Sequence, residues 1–237
     1  MPWHVFVDFD GTISRDDTTD VVLEHFADPA WEAVEAQWQC GQIGSRQCLK
    51  EQVSMIRADE ADIDLLAAGF AIDPHFHGFV RQCEGLGLPV TIVSDGLDRI
   101  VRKTLERHGL GGLAIRANAL SYCGDRRWTL GFPYTQNNCR SQSGTCKCAV
   151  SRQASAGVAD QRDLRLLIGD GRSDQCLAED ADFVFARTSL RDYCRLRNIP
   201  YRPFHSFAQV QQLMSLLEQM PVAAEVGQWG HQAMTDA

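Results

Sequence analysis

Residues 4–12 of the 237-residue chain read HVFVDFDGT, and the rest of the architecture can be worked out from them. His4–Asp8 is a short apolar run that ends in acid, a pattern that predicts a buried strand with chemistry at its carboxyl end. Side chains two positions apart in an extended segment point the same way, so Asp8 and Asp10 can face one site as nucleophile and general acid/base. Gly11 permits a sharp turn after the strand.

Strand and helix patterns alternate along most of the remaining chain. We predict further buried strands at Leu88–Val93, Leu164–Ile168 and Asp182–Phe185. We predict helices at Asp98–His108, Cys146–Ala156, Asp174–Glu179 and Ser206–Glu218, and one that follows Asp73-Pro74 and reaches Leu86. This alternation is typical of an α/β fold with a doubly wound parallel sheet and right-handed crossovers. Two alternating segments predict a small β-hairpin, Ala114–Leu120 and Arg126–Leu130.

A long helical segment interrupts this alternation directly after the first strand. Residues 15–72 carry helical patterning without strand signals, and breaks at Asp28-Pro29 and 41–44 divide them into several helices. We therefore predict an inserted helical cap at 15–72 and a catalytic core made of 1–14 and 73–220. Residues 221–237 show little pattern and are predicted to be a loosely ordered tail.

Composition excludes several classes of function. The chain has a formal net charge of −8 and no Lys/Arg run, which argues against nucleic-acid binding. No stretch approaches 18 apolar residues, and no basic region with a long apolar run opens the chain, so we expect neither membrane association nor a signal peptide. The nine cysteines are odd in number and irregularly spaced, as expected for thiols of a cytoplasmic protein.

Two more chain segments supply groups suited to binding an anion. Ligand sites in parallel α/β sheets lie beyond the carboxyl ends of the strands, where Ser94, Asp95 and Gly96 follow the second buried strand. A hydroxyl and free backbone N–H groups at that position can bind phosphate oxygens. Lys147, near a predicted helix start, can neutralise a phosphate and the Asp8 carboxylate. One such ion pair contributes roughly 4 kcal/mol at about 4 Å and an effective dielectric constant near 20.

The end of the third predicted strand is acidic. Asp170 and Asp174 follow Leu164–Ile168 and offer the hard oxygen ligands that Mg²⁺ prefers, together with waters and substrate phosphate. Asp8 and Asp10 repel one another at such short spacing, and a nearby cation is needed to keep both useful. The joint occurrence of these groups, each at the same end of a predicted strand, indicates one phosphate-handling site.

These motifs resemble those of haloacid dehalogenase (HAD) superfamily phosphatases, with a Rossmann-like core, over roughly residues 4–215. The position of the cap resembles the subgroup that includes phosphoserine phosphatase. Cys139, the stretch 144–148 and Phe185-Ala186-Arg187 resemble most closely the 2-hydroxy-3-keto-5-methylthiopentenyl-1-phosphate phosphatases of methionine salvage. The resemblance implies a Mg²⁺-dependent phosphomonoesterase that forms an aspartyl-phosphate.

The resemblance also implies a role for each matching residue. Asp8 would be the nucleophile, Asp10 the acid that protonates the leaving oxygen and then deprotonates water, and Ser94 and Lys147 the groups that hold the phosphoryl group. Further phosphate-binding residues would be Gly11, Thr12, Asp95 and Gly96. Magnesium would be bound by Asp8, the Asp10 carbonyl and Asp170, with support from Asp174.

Two cap residues bear on the substrate, which we expect to be a small phosphorylated metabolite. Asp17 lies where phosphoserine phosphatases have a substrate-contacting acid, although a helix N-cap would also explain it. Gln52 lies where their cap Arg binds the substrate carboxylate; Arg46 or Arg57 takes that place if the alignment shifts by a turn. Glutamine has no charge and cannot form the bidentate ion pair, so we expect a poor phosphoserine phosphatase.

Several interpretations stay open at this stage. The chain could be a phosphotransferase to an alcohol acceptor, a catalytically dead binding protein, or a phospho-accepting signalling domain, although Asp-x-Asp on the first strand disfavours the last. The protein could be a monomer or a homodimer. Cys139, Cys146 and Cys148 could bind zinc or sense redox state, although packing beside the site is the simpler expectation. We expect surface positions for His75 and His77, and positions in the cap core, not in a stacking platform, for Trp31 and Trp38. Arg187 could contact the ligand, or it could be solvated or salt-bridged.

Overall fold

A mostly parallel sheet forms the centre of the molecule. The computed structural model describes residues 3–155 and 163–217, and its strands are Trp3–Val7 (β1), Val90–Leu97 (β2), Ala114–Tyr122 (β3), Trp128–Gly131 (β4), Leu164–Gly169 (β5), Phe183–Ala186 (β6) and Tyr201–Pro203 (β7). Their order across the sheet is β4-β3-β2-β1-β5-β6-β7. All neighbours pair in parallel except β3 and β4, which form the predicted antiparallel hairpin. The predicted α/β fold class is confirmed.

Helices connect the strands and fill the segment between β1 and β2. In chain order they are Thr18–Phe26 (α1), Trp31–Gln39 (α2), Ser45–Ser54 (α3), Glu60–Gly69 (α4), Phe76–Gly85 (α5), Asp98–Arg107 (α6), Lys147–Ala154 (α7), Gln175–Ala178 (α8), Thr188–Arg197 (α9) and Phe207–Leu217 (α10). The first four follow one another without an intervening strand, as the patterning of residues 15–72 predicted.

The strand β1 is central because its side chains are apolar on both faces. Val5 and Val7 are fully buried in a cluster with Phe79 on one side of the sheet. Phe6 is fully buried in a second cluster with Leu167 on the other side. A strand that is buried on both faces must lie inside the sheet, so the residues that follow β1 are delivered to the middle of its carboxyl edge.

The helical segment between β1 and β2 shares a core with the hairpin. Val53 and Ile56 of this segment pack in one cluster with Trp128 and Leu130 of β4, and the Trp128 indole N–H donates to the Ala58 carbonyl at 2.9 Å. An isolated antiparallel bridge joins residues 14 and 72, where the chain enters and leaves the segment. This bridge supports the division into core and cap, which stays a prediction; the predicted tail 221–237 lies outside the described residues.

Two regions differ from the sequence-based expectation. We predicted no element between 186 and 206, yet α9 and β7 lie there; α9 is rich in Arg and buries only Leu190 and Cys194, so its apolar pattern is weak. The strand β2 continues to Leu97, beyond the predicted end at Val93, with a register shift between these two residues. The polar residues 94–96 therefore lie within an irregular strand end and not after it.

Candidate active site

Three carboxylates meet at the carboxyl edge of the sheet. Asp8 follows β1, Asp170 follows β5, and Asp174 lies in the short 3₁₀ turn after it; one oxygen from each lies within 4.8 Å of the others. Asp8 and Asp174 are buried. Burial raises the pKa of Asp8 well above its usual value, and the nearby Asp174 raises it further, while Lys147 opposes both effects. The carboxylates thus lie in a region where positive charge is strongly favoured.

The side chain of Lys147 provides part of that charge. It is fully buried, and its Nζ lies 2.7 Å from Asp8 Oδ1 and 2.7 Å from Asp174 Oδ1. Burial alone would lower the pKa of Lys147, but the carboxylates of Asp174 and Asp8 outweigh burial and raise it, so the ammonium is charged at any ordinary pH. Lys147 is the first residue of α7, so the start of this helix places its side chain against the carboxylates.

The donor set fits a divalent magnesium ion. The pKa values of Asp8 and Asp170 are raised first by burial and then by the Asp174 carboxylate, and Lys147 opposes this rise in both. A few hard carboxylate oxygens with room for waters and a phosphate are the usual Mg²⁺ environment. The Asp10 carboxylate is turned toward Thr18, so a role for Asp10 in metal binding rests on its carbonyl and stays a prediction.

Asp10 is placed to exchange a proton. Its Oδ1 accepts hydrogen bonds from the Thr18 backbone N–H at 2.8 Å and from the Thr18 hydroxyl at 2.6 Å. Its Oδ2 accepts from the Ser94 hydroxyl at 3.4 Å. Burial raises the pKa of Asp10 to about 7, with the nearby Asp17 adding to the effect and Thr18 opposing it. A carboxyl with this pKa can give up and take back a proton near neutral pH.

Two glycines allow the chain to pass very close to the carboxylates. A Cβ on Gly96 would lie 2.6 Å from Asp10 Oδ2, and one on Gly11 would lie 2.5 Å from Asp170 Oδ2. Gly11 also has φ +68°, which a residue with a side chain adopts only under strain. Beside it, the Thr12 hydroxyl donates to Asp170 Oδ1 at 3.2 Å. The predicted residues Gly11, Thr12 and Gly96 therefore lie directly against the carboxylates of Asp10 and Asp170.

The Asp95 carboxylate holds neighbouring segments together. It accepts hydrogen bonds from the Ser45 hydroxyl of α3 at 2.6 Å, from the Thr145 N–H at 2.8 Å and from the Asn118 side chain of β3 at 3.2 Å. Asp95 also lines the cavity beside the site. Asn118 was not identified from sequence, because a single Asn in a strand carries no recognisable pattern.

Arg187, whose role the sequence left open, binds the turn after β1, and the neighbouring Thr188 binds Asp170. The Arg187 guanidinium donates to the carbonyls of Gly11 and Thr12 and lies over the Phe204 ring at 5.3 Å from its centroid. The Thr188 hydroxyl donates to Asp170 Oδ2 at 3.1 Å. These contacts fix the turn that follows Asp10 and orient the Asp170 carboxylate.

A cavity of about 340 Å³ is lined in part by Asp8, Asp10 and Asp170. Asp17 lines it and also caps α1, since its Oδ1 accepts from the backbone N–H groups of Thr19 and Asp20 at 3.1 Å. Gln52 lines it, is 2 % exposed, and donates to Glu35 Oε2 at 3.0 Å. The two arginines considered as substitutes for Gln52 are not among the lining residues: Arg46 bonds to Thr135, and Arg57 to backbone carbonyls of its own helix end.

The tryptophan prediction was half wrong. Trp31 is buried in the cap cluster as predicted, but Trp38 is half-buried and lines the cavity, with the Arg172 guanidinium 5.6 Å above its ring. Trp38 and Glu35 are three residues apart on α2, so they share a face. Sequence analysis missed Glu35 and Asp20 as cavity residues because charged positions on a helix normally indicate a solvated face.

The three cysteines considered for zinc binding pack in one hydrophobic cluster at the start of α7. Cys146 and Cys148 are buried, with their Sγ atoms 3.5 Å apart, and half-buried Cys139 packs against the same cluster. In the described ranges, the one group of three or more His, Cys, Asp or Glu residues close enough to share a metal ion is Asp8, Asp170 and Asp174. This favours packing over zinc binding. His75 and His77 are exposed, as expected.

The sheet, the buried Lys147 between two acids and the adjoining cavity define a phosphatase of the HAD type. A family model described as haloacid dehalogenase-like hydrolase matches residues 5–179, and the chain belongs to this family. Among curated proteins, 2-hydroxy-3-keto-5-methylthiopentenyl-1-phosphate phosphatases are similar. That of Bacillus cytotoxicus is 30% identical over 92% of this chain and 99% of its own, and that of Brevibacillus brevis 28% identical over 91% and 96%.

Solved structures with the same fold include phosphoserine phosphatases. A phospho-aspartyl intermediate analogue of phosphoserine phosphatase aligns with TM-score 0.64 and 16% identity over 90% of this chain and 98% of its own. A cytosolic 5'-nucleotidase IIIB bound to cytidine aligns with TM-score 0.62 and 15% identity over 92% and 85%. Within the described ranges, no helix is long and apolar enough to cross a membrane.

Proposed function

We propose that the protein is a Mg²⁺-dependent phosphomonoesterase that hydrolyses a small phosphorylated metabolite through an aspartyl-phosphate on Asp8. The observation that carries the proposal is the fully buried Lys147, 2.7 Å from both Asp8 and Asp174, beside a cavity that Asp10 also lines. Such an arrangement orients a carboxylate oxygen and concentrates positive charge where a phosphoryl group would be transferred.

The reaction follows from these positions. An Asp8 oxygen attacks phosphorus while protonated Asp10 gives its proton to the leaving alcohol oxygen, so the P–O ester bond breaks as the aspartyl-phosphate forms. Asp10, now a carboxylate, takes a proton from a water that attacks the phosphorus and releases phosphate and Asp8. Lys147 and Ser94 hold the phosphoryl oxygens throughout. Magnesium, when bound by Asp8 and Asp170 with support from Asp174, supplies further charge neutralisation.

The relatives' names supply one substrate to test, the enol or keto sugar phosphate 2-hydroxy-3-keto-5-methylthiopentenyl-1-phosphate. Phosphoserine is a poorer candidate because neutral Gln52 lines the cavity, and because Asp17, Asp20 and Glu35 also line it and repel a carboxylate. Transfer to an alcohol acceptor in place of water is the alternative outcome, which the ratio of free phosphate to new ester measures directly.

Replacement of the nucleophile tests the mechanism. Asp8→Asn preserves size but cannot attack phosphorus, so release of phosphate from p-nitrophenyl phosphate with Mg²⁺ should fall on the order of a thousandfold or more. Asp16→Asn, the same change at an exposed acid outside the cavity, is the control and should retain activity. Near-normal kcat in a folded Asp8→Asn protein would rule out the covalent mechanism.

A further inference from the structure

One wall of the cavity is acidic and belongs to the first two helices. Asp17, Thr19 and Asp20 come from the start of α1, and Glu35 and Trp38 come from α2. None of these residues is needed to bind the phosphoryl group, which Ser94 and Lys147 hold. The wall therefore contacts the alcohol that is attached to the phosphate, and the charge of the wall indicates which alcohols the cavity can bind.

The Asp20 carboxylate has no counter-charge. Within the part of the chain that the structure describes, none of the hydrogen bonds or ion pairs is made by this side chain. The pKa of Asp20 is raised to about 7, first by burial and then by the carboxylates of Asp17, Glu35, Asp10 and Glu24. Every one of these effects acts in the same direction, which is the response of an acid in a negative environment that lacks a cation.

Glu35 is fixed in position but not neutralised. Its Oε1 accepts from the Gln39 amide at 3.1 Å, and its Oε2 accepts from the Gln52 amide at 3.0 Å. Both donors are uncharged, so the orientation of Glu35 is set while its negative charge remains. Arg172, the one basic residue among those lining the cavity, lies over the Trp38 ring and makes no ion pair within the described ranges.

A buried hydroxyl links this wall to the catalytic centre. Thr19 is 6 % exposed, and its Oγ1 has no hydrogen-bond partner among the described residues. The same atom lies 3.2 Å from the point where a Cβ on Gly96 would be, with Asp10 Oδ2 and Ser94 Oγ around that point. An unsatisfied buried hydroxyl is costly, so its persistence at this position indicates a ligand that bonds to it.

We propose that Asp20 and Glu35 bind a cationic group of the leaving alcohol, so that the preferred substrate is a phosphate ester of an amino alcohol. The proposal rests on the proposed phosphatase function and narrows its substrate class. A molecular cation fits better than a second metal ion, because Asp17, Asp20 and Glu35 do not form a group of three carboxylates close enough to share a metal ion among the described residues. The substrate in the relatives' names has no amino group, so the proposal separates this chain from them in specificity.

Matched esters test the end group in isolation. O-phosphoethanolamine, 2-hydroxyethyl phosphate and 2-phosphoglycolate share a two-carbon chain and end in an ammonium, a hydroxyl and a carboxylate. The three-carbon homologues of these esters place the end group farther from the phosphate, in case the two acids lie beyond the reach of the two-carbon chain. With Mg²⁺ present, kcat/KM should rank ammonium above hydroxyl above carboxylate in at least one set, with a roughly ten- to a hundredfold advantage for the amine, as for a charge-assisted hydrogen bond. The best amine should also exceed the methylthiopentenyl substrate.

Variants assign the preference to the wall. Asp20→Asn and Glu35→Gln should each lower kcat/KM for the amine by roughly tenfold or more and leave the hydroxyl ester within about twofold. Glu32→Gln removes the same charge from an exposed position of α2, outside the cavity, and should change none of the esters appreciably.

Two results would overturn the inference: a hydroxyl or carboxylate ester that is preferred in both sets, or variants that slow all three end groups equally. The wild-type ranking is decisive even if one variant fails to fold. Asp8-dependent hydrolysis of p-nitrophenyl phosphate with the wrong ranking would reject this inference alone. Absence of any Asp8-dependent hydrolysis would reject the proposed function itself.

Discussion

Replacement of Lys147 by Met should cost both stability and activity, and the stability loss should depend on pH. Each carboxylate contact at 2.7 Å is worth about 6 kcal/mol at an effective dielectric constant of 20, and desolvation of the ammonium offsets much of this. Removal of one partner from a buried ion pair typically destabilises by about 3–5 kcal/mol, because the remaining charges stay buried without compensation.

The pH dependence follows from the direction of the Asp8 shift. The pKa of Asp8 is raised in the folded protein, so its protonated form favours folding at low pH and this contribution is lost as pH rises through the folded pKa. Without Lys147 the pKa of Asp8 rises further. Urea unfolding should therefore show a larger deficit for Lys147→Met at pH 8 than at pH 5, and phosphate release should fall by about a hundredfold or more.

The control is Lys50→Met, the same change at an exposed position of α3, which should unfold like the wild type at both pH values. Equal urea midpoints for Lys147→Met and wild type at pH 8 would contradict the reasoning. So would a deficit that is the same at pH 5 and pH 8, because the buried carboxylates could then not be its source.

Three further outcomes are expected. Because burial raises the pKa of Asp10 to about 7, kcat/KM for an alkyl phosphate should fall up to about tenfold per pH unit above pH 7. The Asp10→Asn variant should lose this pH dependence. If the variant keeps it, the pH dependence belongs to another group. Mg²⁺ should raise the melting temperature of the wild type, because at a concentration of a hundred times Kd it adds about 2.7 kcal/mol to the free energy of unfolding. The Asp170→Asn variant should lose most of this shift. An equal shift in the variant would exclude Asp170 as a ligand. Gly96→Ala places a methyl 2.6 Å from Asp10 Oδ2, so kcat/KM should drop by about tenfold or more while the circular dichroism spectrum is kept; an unchanged kcat/KM would show that the turn relaxes freely.

The meeting of Asp8, Asp170 and Lys147 at one edge of the sheet was predictable because strand ends have a strong local signal. A buried apolar run followed by Asp8-x-Asp10, and another followed by Asp170, place acids at the same edge of any parallel sheet. Lys147 was predictable for the same reason, as the basic residue at a helix start near that edge. The topology of a parallel sheet brings these segments together, so their proximity can be inferred without coordinates.

The acidic wall of the cavity, formed by residues of α1 and α2, was not predictable in the same way. Asp20, Glu35 and Trp38 lie on two cap helices, and the direction in which each helix faces depends on how the cap packs against Trp128 and the hairpin. That packing joins segments more than sixty residues apart, which helix periodicity does not report. Trp38 was assigned to the cap core because large aromatic residues at helical spacing usually are buried.

The hydrogen bonds of Asp95 have a consequence for protein engineering. One side chain accepts from Ser45 in the cap, from Asn118 in a strand, and from the backbone of Thr145, two residues before Lys147. A graft that replaces α1 to α4 by the cap helices of another phosphatase can remove the Ser45 hydroxyl. The Asp95 carboxylate, which bonds to the segment just before Lys147, would then lose one of the donors that orient it. Chimeras that retain a hydroxyl at position 45 should therefore preserve turnover better than chimeras selected for the size and shape of the transplanted helices alone.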